Sequence, residues 1–564
     1  MMNKGSESAV RRKWRNPSFG LMLHLAVILC IACTGRSDEP AGQQTVFRYN
    51  ESKGISTLDP AFARNQTIIW PVHQLFNGLV QMDDSLRLKP CIARSWTISE
   101  NGTVYRFYLR NDVYFHDHPL FPGGKGRRVI AGDVVYSFNR ILDPSIASPG
   151  IWIFSHVDHD RSASRSGFVA LNDSTLEIRL KNPFPAFLGI LSMSYCSVVP
   201  REIVEAYGTG FRNHPVGTGP FMFRLWKEGE KLVLVKNPHY FEKDENGQRL
   251  PYLDAVAITF VNDKQSEFLE FMKGNLDFLS GVHSAYKSEL ITRAGKLNAR
   301  YHDRFDMITG PYLNTEYLGI FMDTAGRKAA VSPLHNIGVR KAINHAFDRV
   351  KMASYLRNNL ASPALEGIVP EGLPSFTRSL HGYEYNPDLS SRLLAEAGYP
   401  GGKGLPEIVL TTTSDYLDIC EFIQHELSRT GIRLAIEVST GPVYRENVAN
   451  GRLPFFRASW IADYPDAENY LALFCSNNFS PAGPNYTHYH NHTYDEMYEQ
   501  ALRESDDSLR FSLYRQMDQM ILDEAVTVPL YYDKVVRFCP KNISGLGINP
   551  LNLLSLKKVR KLNP

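Results

Sequence analysis

Beyond residue 32 this 564-residue sequence lacks any long apolar run, and the run before that point, Leu21–Ala32, has only 12 residues. A helix needs about 20 apolar residues to cross a bilayer, so no membrane-spanning helix is expected. Net charge is equally scarce. Lys and Arg number 62 against 59 Asp and Glu, and the resulting +3 is too small to hold a polyanion; nucleic acid is not expected as a partner. Cysteine is sparse as well. Cys91, Cys196, Cys420, Cys475 and Cys539 are odd in number, widely spread and without a CxxC pair, so they specify no disulfide framework and read as buried free thiols.

Catalytic spacings are also missing. There is no GxSxG elbow, and His425-Glu426-Leu427-Ser428-Arg429 lacks the second histidine of a zinc-protease helix. Gly123-Gly124-Lys125-Gly126 and Gly401-Gly402-Lys403-Gly404 carry neither the Ser/Thr nor the upstream glycine of a phosphate loop, and read as turns. His488, His490 and His492 would share a face only on a strand. Beside Pro481, Gly483 and Pro484 they read as a loop, as do His116 and His118. The expectation is a protein without enzymatic activity, resident metal or cofactor.

What is present is a large globular body. Hydrophobic residues make up 43% and charged residues 21%, and 28 Tyr and 31 Phe are available for cores or for a ligand cleft. Lys4, Arg11, Arg12, Lys13 and Arg15 precede the short apolar run, the pattern of a secretory signal over residues 1–32. Its end, Leu29-Cys30-Ile31-Ala32-Cys33, resembles a bacterial lipobox. That resemblance implies cleavage before Cys33, lipidation of Cys33 and attachment to a membrane outside the cytoplasm. Loss of residues 1–32 removes five basic residues and Glu7, leaving a formal charge of −1. Residues 33–44 read as anchor and polar linker.

Strand signals dominate the first half. Val46-Phe47-Arg48-Tyr49 reads as a strand, and Asn101-Gly102 as the turn of a hairpin between Ser95–Ile98 and Thr103–Leu109. Residues 171–180 repeat the pattern, and residues 216–261 are strand-rich with breaks at Gly229 and Asn237-Pro238. Helical periodicity covers 336–356, and a second helix over 389–397 stops at Gly398. Strand 407–412, helix 416–429 and strand 433–438 suggest a βαβ unit. The fold class is therefore α/β with more than one lobe.

Six pieces, in order, resemble the solute-binding proteins of ATP-binding-cassette importers, in the peptide- and nickel-binding family. They are Ala93–Trp96 with Asn101–Arg110, Phe115-His116-Asp117 with Gly132–Ser137, Val216-Gly217-Thr218-Gly219-Pro220-Phe221, Lys236–Tyr240, Val339–Arg349 and Leu393–Tyr399. The resemblance implies a type II, hinge-bending fold of two lobes. Lobe one would comprise 45–78, 200–310 and 520–564, with an inserted subdomain at 79–199; lobe two would be 311–519. It also implies a monomer that captures a peptide in the interlobe cleft and passes it to a membrane permease with ATPase subunits. A nickel chelate or sugar as ligand, or a sensor or chaperone role without transport, are the alternatives.

Arg457-Ala458-Ser459-Trp460-Ile461-Ala462-Asp463-Tyr464 is similar to the ligand strand of the oligopeptide binders. By that resemblance Asp463 receives the peptide ammonium and Arg457 lies towards the carboxylate of short peptides, with Ser459, Trp460, Ile461 and Tyr464 beside them. The chemistry agrees, since a zwitterion losing its water needs an opposite charge at each end. On one strand face, Arg457, Ser459, Ile461 and Asp463 would extend about 20 Å. Leu58-Asp59-Pro60 resembles the start of a second ligand segment, which puts Arg64, Asn65 and Gln66 near the peptide backbone. Some oligopeptide binders carry a disulfide whose two positions are Asn314 and Ile461 here, and Tyr444 is the nearest substitute for an aromatic of their pocket.

Overall fold

Val46–Asn50 buries Phe47 and Tyr49 and exposes Arg48, the period-two pattern of a strand covered on one side. It pairs in parallel with Ala255–Thr259, and the sheet continues antiparallel through Lys231–Lys236 to Phe221–Lys227. The computed structural model describes residues 44–159, 167–281, 283, 286–323 and 332–562. The expected signal segment, Cys33 and the linker up to residue 43 lie outside the described residues.

A second four-stranded sheet has the order Ala93–Ile98, Val104–Leu109, Thr175–Arg179, Phe168–Asn172. Its first hairpin turns at Asn101-Gly102, where Gly102 takes a φ of 67° and Asn101 Oδ1 accepts from the Thr103 amide at 3.3 Å. Phe107, Phe138 and Phe187 from this region join Phe47, Leu75 and Val256 in one apolar cluster, so residues 79–199 share a core with the first sheet. The Val216–Phe221 motif passes close under the helix Gln66–Leu75. A Cβ on Gly217 would lie 2.1 Å from the Leu75 carbonyl oxygen, and one on Gly219 2.4 Å from that of Gln74, so only glycine fits at either position.

The largest sheet has seven strands. Its order is Leu279–Ser280, Thr527–Pro540, Phe305–Ile320, Phe455–Ile461, Ile408–Thr412, Leu434–Val438, with Ala361–Pro363 also paired to Thr527–Pro540. The βαβ reading holds: Ile408 pairs with Leu434 in parallel, across the helix Leu417–Ser428. Adjacent side chains of the long strand feed different cores. Leu318 packs with Ile343, Leu410 and Ile423, and Tyr317 with Tyr470, Tyr494 and Met517. The helical stretch 336–356 is two helices, Ile337–His345 and Arg349–Arg357, because Asp348 leaves helical geometry and caps the second by accepting from the Lys351 amide at 2.9 Å.

Phe305–Ile320 and Thr527–Pro540 run antiparallel along most of their lengths. Their ladder slips twice: the step from Pro311 to Thr315 is matched only by that from Lys534 to Tyr532, and the step from Glu316 to Tyr317 by that from Tyr531 to Pro529. Pro311 has no amide hydrogen to donate there, and Tyr312 is carried out of the ladder. All five cysteines beyond residue 33 are buried and free.

Candidate ligand-binding site

The segment that carries Arg64 is fixed from both sides. Asp59 caps the turn Pro60–Phe62 through the Ala61 amide, and its carboxylate is gripped by both terminal nitrogens of Arg140, at 2.9 and 2.5 Å. Asn65 then caps the helix Gln66–Leu75, its Oδ1 accepting from Ile68 N at 3.3 Å and Thr67 Oγ1 at 2.8 Å. Further along this helix, Trp70 Nε1 donates to the Asn552 carbonyl at 2.9 Å and Gln74 Nε2 to that of Leu554 at 2.6 Å. These bonds hold the tail around residue 552 against the helix.

That tail, the 63–70 segment, residues 50–56, Ser192–Tyr195, Tyr312 and Ile461–Asp463 enclose a cavity of about 940 Å³. This is the upper end of the usual range for small-molecule sites. Trp70, Trp152, Tyr195 and Tyr312 give it aromatic surface, while Glu51, Lys53, Arg64, Lys264, Glu267 and Asp463 give it charge. Lys264 and Glu267 are paired at 2.6 Å.

Asp463 lies just past the end of the strand Phe455–Ile461. Ala462 N still donates to Leu313 O at 2.9 Å, but the Asp463 amide turns to Asn469 Oδ1 at 3.3 Å, so the main chain leaves the sheet there. Trp460 Nε1 donates to the same Asn469 oxygen at 2.7 Å, and Tyr464 donates to the Glu468 carboxylate. Trp460 and Tyr464 thus hold the loop from behind. The Asp463 carboxylate itself has no hydrogen-bond or ion-pair partner among the described residues. Its surface opens into the cavity, yet the walls around it displace enough water to push its pKa up to about 6.

Of the residues singled out from sequence, Asp463, Ile461, Arg64, Asn65 and Gln66 line the cavity. Arg457, Ser459, Trp460 and Tyr464 do not. The expected single face from Arg457 to Asp463 is broken because the strand stops at Ile461. Arg457 instead donates through Nη2 to Glu316, with its guanidinium 3.1 Å from the centre of the Tyr416 ring. Burial pushes Glu316 up to about 7 against the opposing pull of Arg457, and Asn314 Nδ2 bridges Glu316 to Asp533 at 3.2 and 2.5 Å. Tyr444 is buried and donates to the Arg457 carbonyl, away from the cavity. Positions 314 and 461, joined by a disulfide in some oligopeptide binders, are direct cross-strand partners here.

Sequence reasoning missed Trp152, Tyr195 and Tyr312. Each belongs to a stretch without a motif of its own, and only the tertiary fold brings them together. Tyr195 stands within the fields of two sequence-predicted residues. Burial, helped by Asp463 and opposed by Arg64, pushes its phenol up to about 12.

The cleft and sheets agree with what comparison finds. The chain belongs to the bacterial extracellular solute-binding proteins, family 5, whose family model matches residues 87–481. Its fold is that of the type II periplasmic binding proteins, and proteins of this family bind a ligand outside the cytoplasm and deliver it to an ATP-binding-cassette permease. The glutathione-binding protein GsiB of Escherichia coli (strain K12) is 26% identical over 503 residues, covering 88% of this chain and 90% of GsiB. The periplasmic binding protein DppA from Helicobacter pylori, solved with the peptide STSA, has a TM-score of 0.71 and 25% identity, covering 92% of this chain and 98% of DppA. HbpA2 from Haemophilus parasuis superposes with a TM-score of 0.78 at 21% identity, over 92% of this chain and all (100%) of HbpA2. Among the described residues no helix is long and apolar enough to cross a membrane.

Proposed function

We propose that this protein captures short peptides in the cavity beside Asp463 and passes them to its permease while a lipid on Cys33 keeps it at the membrane. Lobe one is then 45–78, 200–310 and 520–564, with 79–199 inserted in it, and lobe two is 311–519. The observation that carries the reading is the unpartnered Asp463 carboxylate facing a large, partly aromatic cavity. Asp463 is exposed to the open cavity, with part of its water displaced by the walls and no protein cation beside it, so it gains from a ligand that brings one, and a peptide's α-ammonium is such a group. Residues from both lobes line the cavity, so a ligand there favours closure by touching both. GsiB, which binds glutathione, and DppA, solved with STSA, support a peptide-like ligand.

The test is calorimetry with a di- to pentapeptide panel, with free and N-acetylated termini. Asp463→Asn is expected to weaken binding by about tenfold or more while the thermal midpoint stays near that of wild type, since a hydrogen bond to a charged group is worth about 1.5–3 kcal/mol. N-acetylation should do the same to wild type. Equal affinity in variant and wild type removes Asp463 from the site. Binding that ignores acetylation points to a non-peptide solute such as a nickel chelate or a sugar.

A further inference from the structure

We propose that Arg64, and not Arg457, receives the ligand's carboxylate, so that Asp463 and Arg64 together hold a short zwitterion. This rests on the peptide reading above and names the second charge of the same site.

Three cationic side chains line the cavity: Lys53, Arg64 and Lys264. Lys264 is held by Glu267. Lys53 lies in the field of Glu51, whose carboxyl both lysines pull down against its burial. That pole is balanced, with two carboxylates facing two lysines. Arg64 has no hydrogen-bond or ion-pair partner for its guanidinium among the described residues, and neither has the Asp463 carboxylate. One uncompensated cation and one uncompensated anion therefore open into one cavity, and Tyr195, which lines it too, senses both. That pattern is the complement of a molecule carrying both an ammonium and a carboxylate.

Arg457 is a poor rival. It does not line the cavity, its side chain is 11% exposed, and it is committed to Glu316 and Tyr416. Turning it towards a ligand would leave the Glu316 carboxylate buried beside Asp533 without its cation. Arg64, by contrast, sits on a backbone already fixed by the Asp59–Arg140 pair on one side and the Asn65 cap on the other, and its own amide donates to Phe62 O at 2.8 Å. A planar guanidinium on a fixed segment can meet a carboxylate in two parallel hydrogen bonds with little further ordering.

The carboxylate has two possible sources with the same chemistry: the C-terminus of a short peptide, or a carboxylate beside the ammonium, as on the γ-glutamyl end of glutathione. Calorimetry on the purified full chain separates them, with trialanine, trialanine amide, glutathione and the glycine monoethyl ester of glutathione as probes. For the first source, amidation should weaken trialanine binding roughly ten- to a hundredfold in wild type, the range for a hydrogen bond to a charged group. In Arg64→Gln the acid should fall to the level of the amide, and Arg64→Lys should recover part of the difference. For the second source, Arg64→Gln should weaken glutathione and its ester alike by a similar factor.

The assignment is overturned if Arg64→Gln leaves all four probes within about twofold of wild type, or weakens trialanine and its amide equally without affecting glutathione. It is also overturned if the discrimination survives in Arg64→Gln and vanishes in Arg457→Gln or Lys53→Gln. If none of the probes binds wild type, the peptide reading falls and takes this assignment with it. Thermal melts of each variant establish that it is folded.

Discussion

Glu316 accepts a hydrogen bond from Arg457 Nη2 across two neighbouring strands, two positions out of register, since Glu316 stands opposite Ser459 and Leu318 opposite Arg457. Both side chains are nearly inaccessible to water. The pair spans adjacent strands and lines no part of the cavity, and its work is to hold the sheet together.

Removing one partner of a buried ion pair leaves a charge without compensation, which costs about 3–5 kcal/mol. Glu316→Ala and Arg457→Gln are both expected to lower stability on that scale, read from urea unfolding midpoints. Peptide affinity of folded Arg457→Gln should stay within a few-fold of wild type. A large loss of affinity without loss of stability would instead place Arg457 in contact with ligand.

Peptide binding should depend on pH through Asp463. Burial raises its carboxyl to about 6, and an ammonium at its side favours the ionised form, so affinity falls as pH drops through about 6 and levels off above it. Stability of the empty protein runs the other way. A carboxyl raised above its ordinary 3.8 contributes stability that is fully present below that value and is lost as pH rises through about 6. Calorimetry between pH 5 and 8 checks the binding limb, and Asp463→Asn should flatten it.

Gly219→Ala places a methyl 2.4 Å from a backbone carbonyl that helix Gln66–Leu75 cannot easily withdraw. Strain of this kind is expected to cost about 2 kcal/mol or more. A lowered thermal midpoint and reduced soluble yield would show it, and an unchanged midpoint would mean the two segments separate freely.

Arg140→Ala should act at a distance. It strips Asp59 of its buried partner and releases the turn that leads to Arg64. Stability should drop by about 3–5 kcal/mol, and peptide affinity should fall although Arg140 touches no part of the cavity. Faster amide exchange over residues 57–66 is the accompanying signature.

Much of this architecture is local and so can be read along the chain. The Asn101-Gly102 turn, the βαβ unit at 408–438 and the stop at Gly398 are set by residues next to each other in sequence. Asp463 was reachable because its motif is contiguous. The partner that keeps Arg457 out of the cavity was not, since Glu316 is 141 residues away on another strand. Nor was the early end of the strand at Ile461, which depends on Asn469 drawing the Asp463 amide aside. Tyr195 and Tyr312 become legible only when the sheets are assembled.

Trp70 and Gln74, close to the start of the folded body, are tied to carbonyls of Asn552 and Leu554. A chain made from its N-terminal end therefore lays down this part of the chamber wall early and must wait for residues beyond 550 to brace it. Until that late stretch arrives, the helix that follows Arg64 lacks two of the hydrogen bonds that steady it.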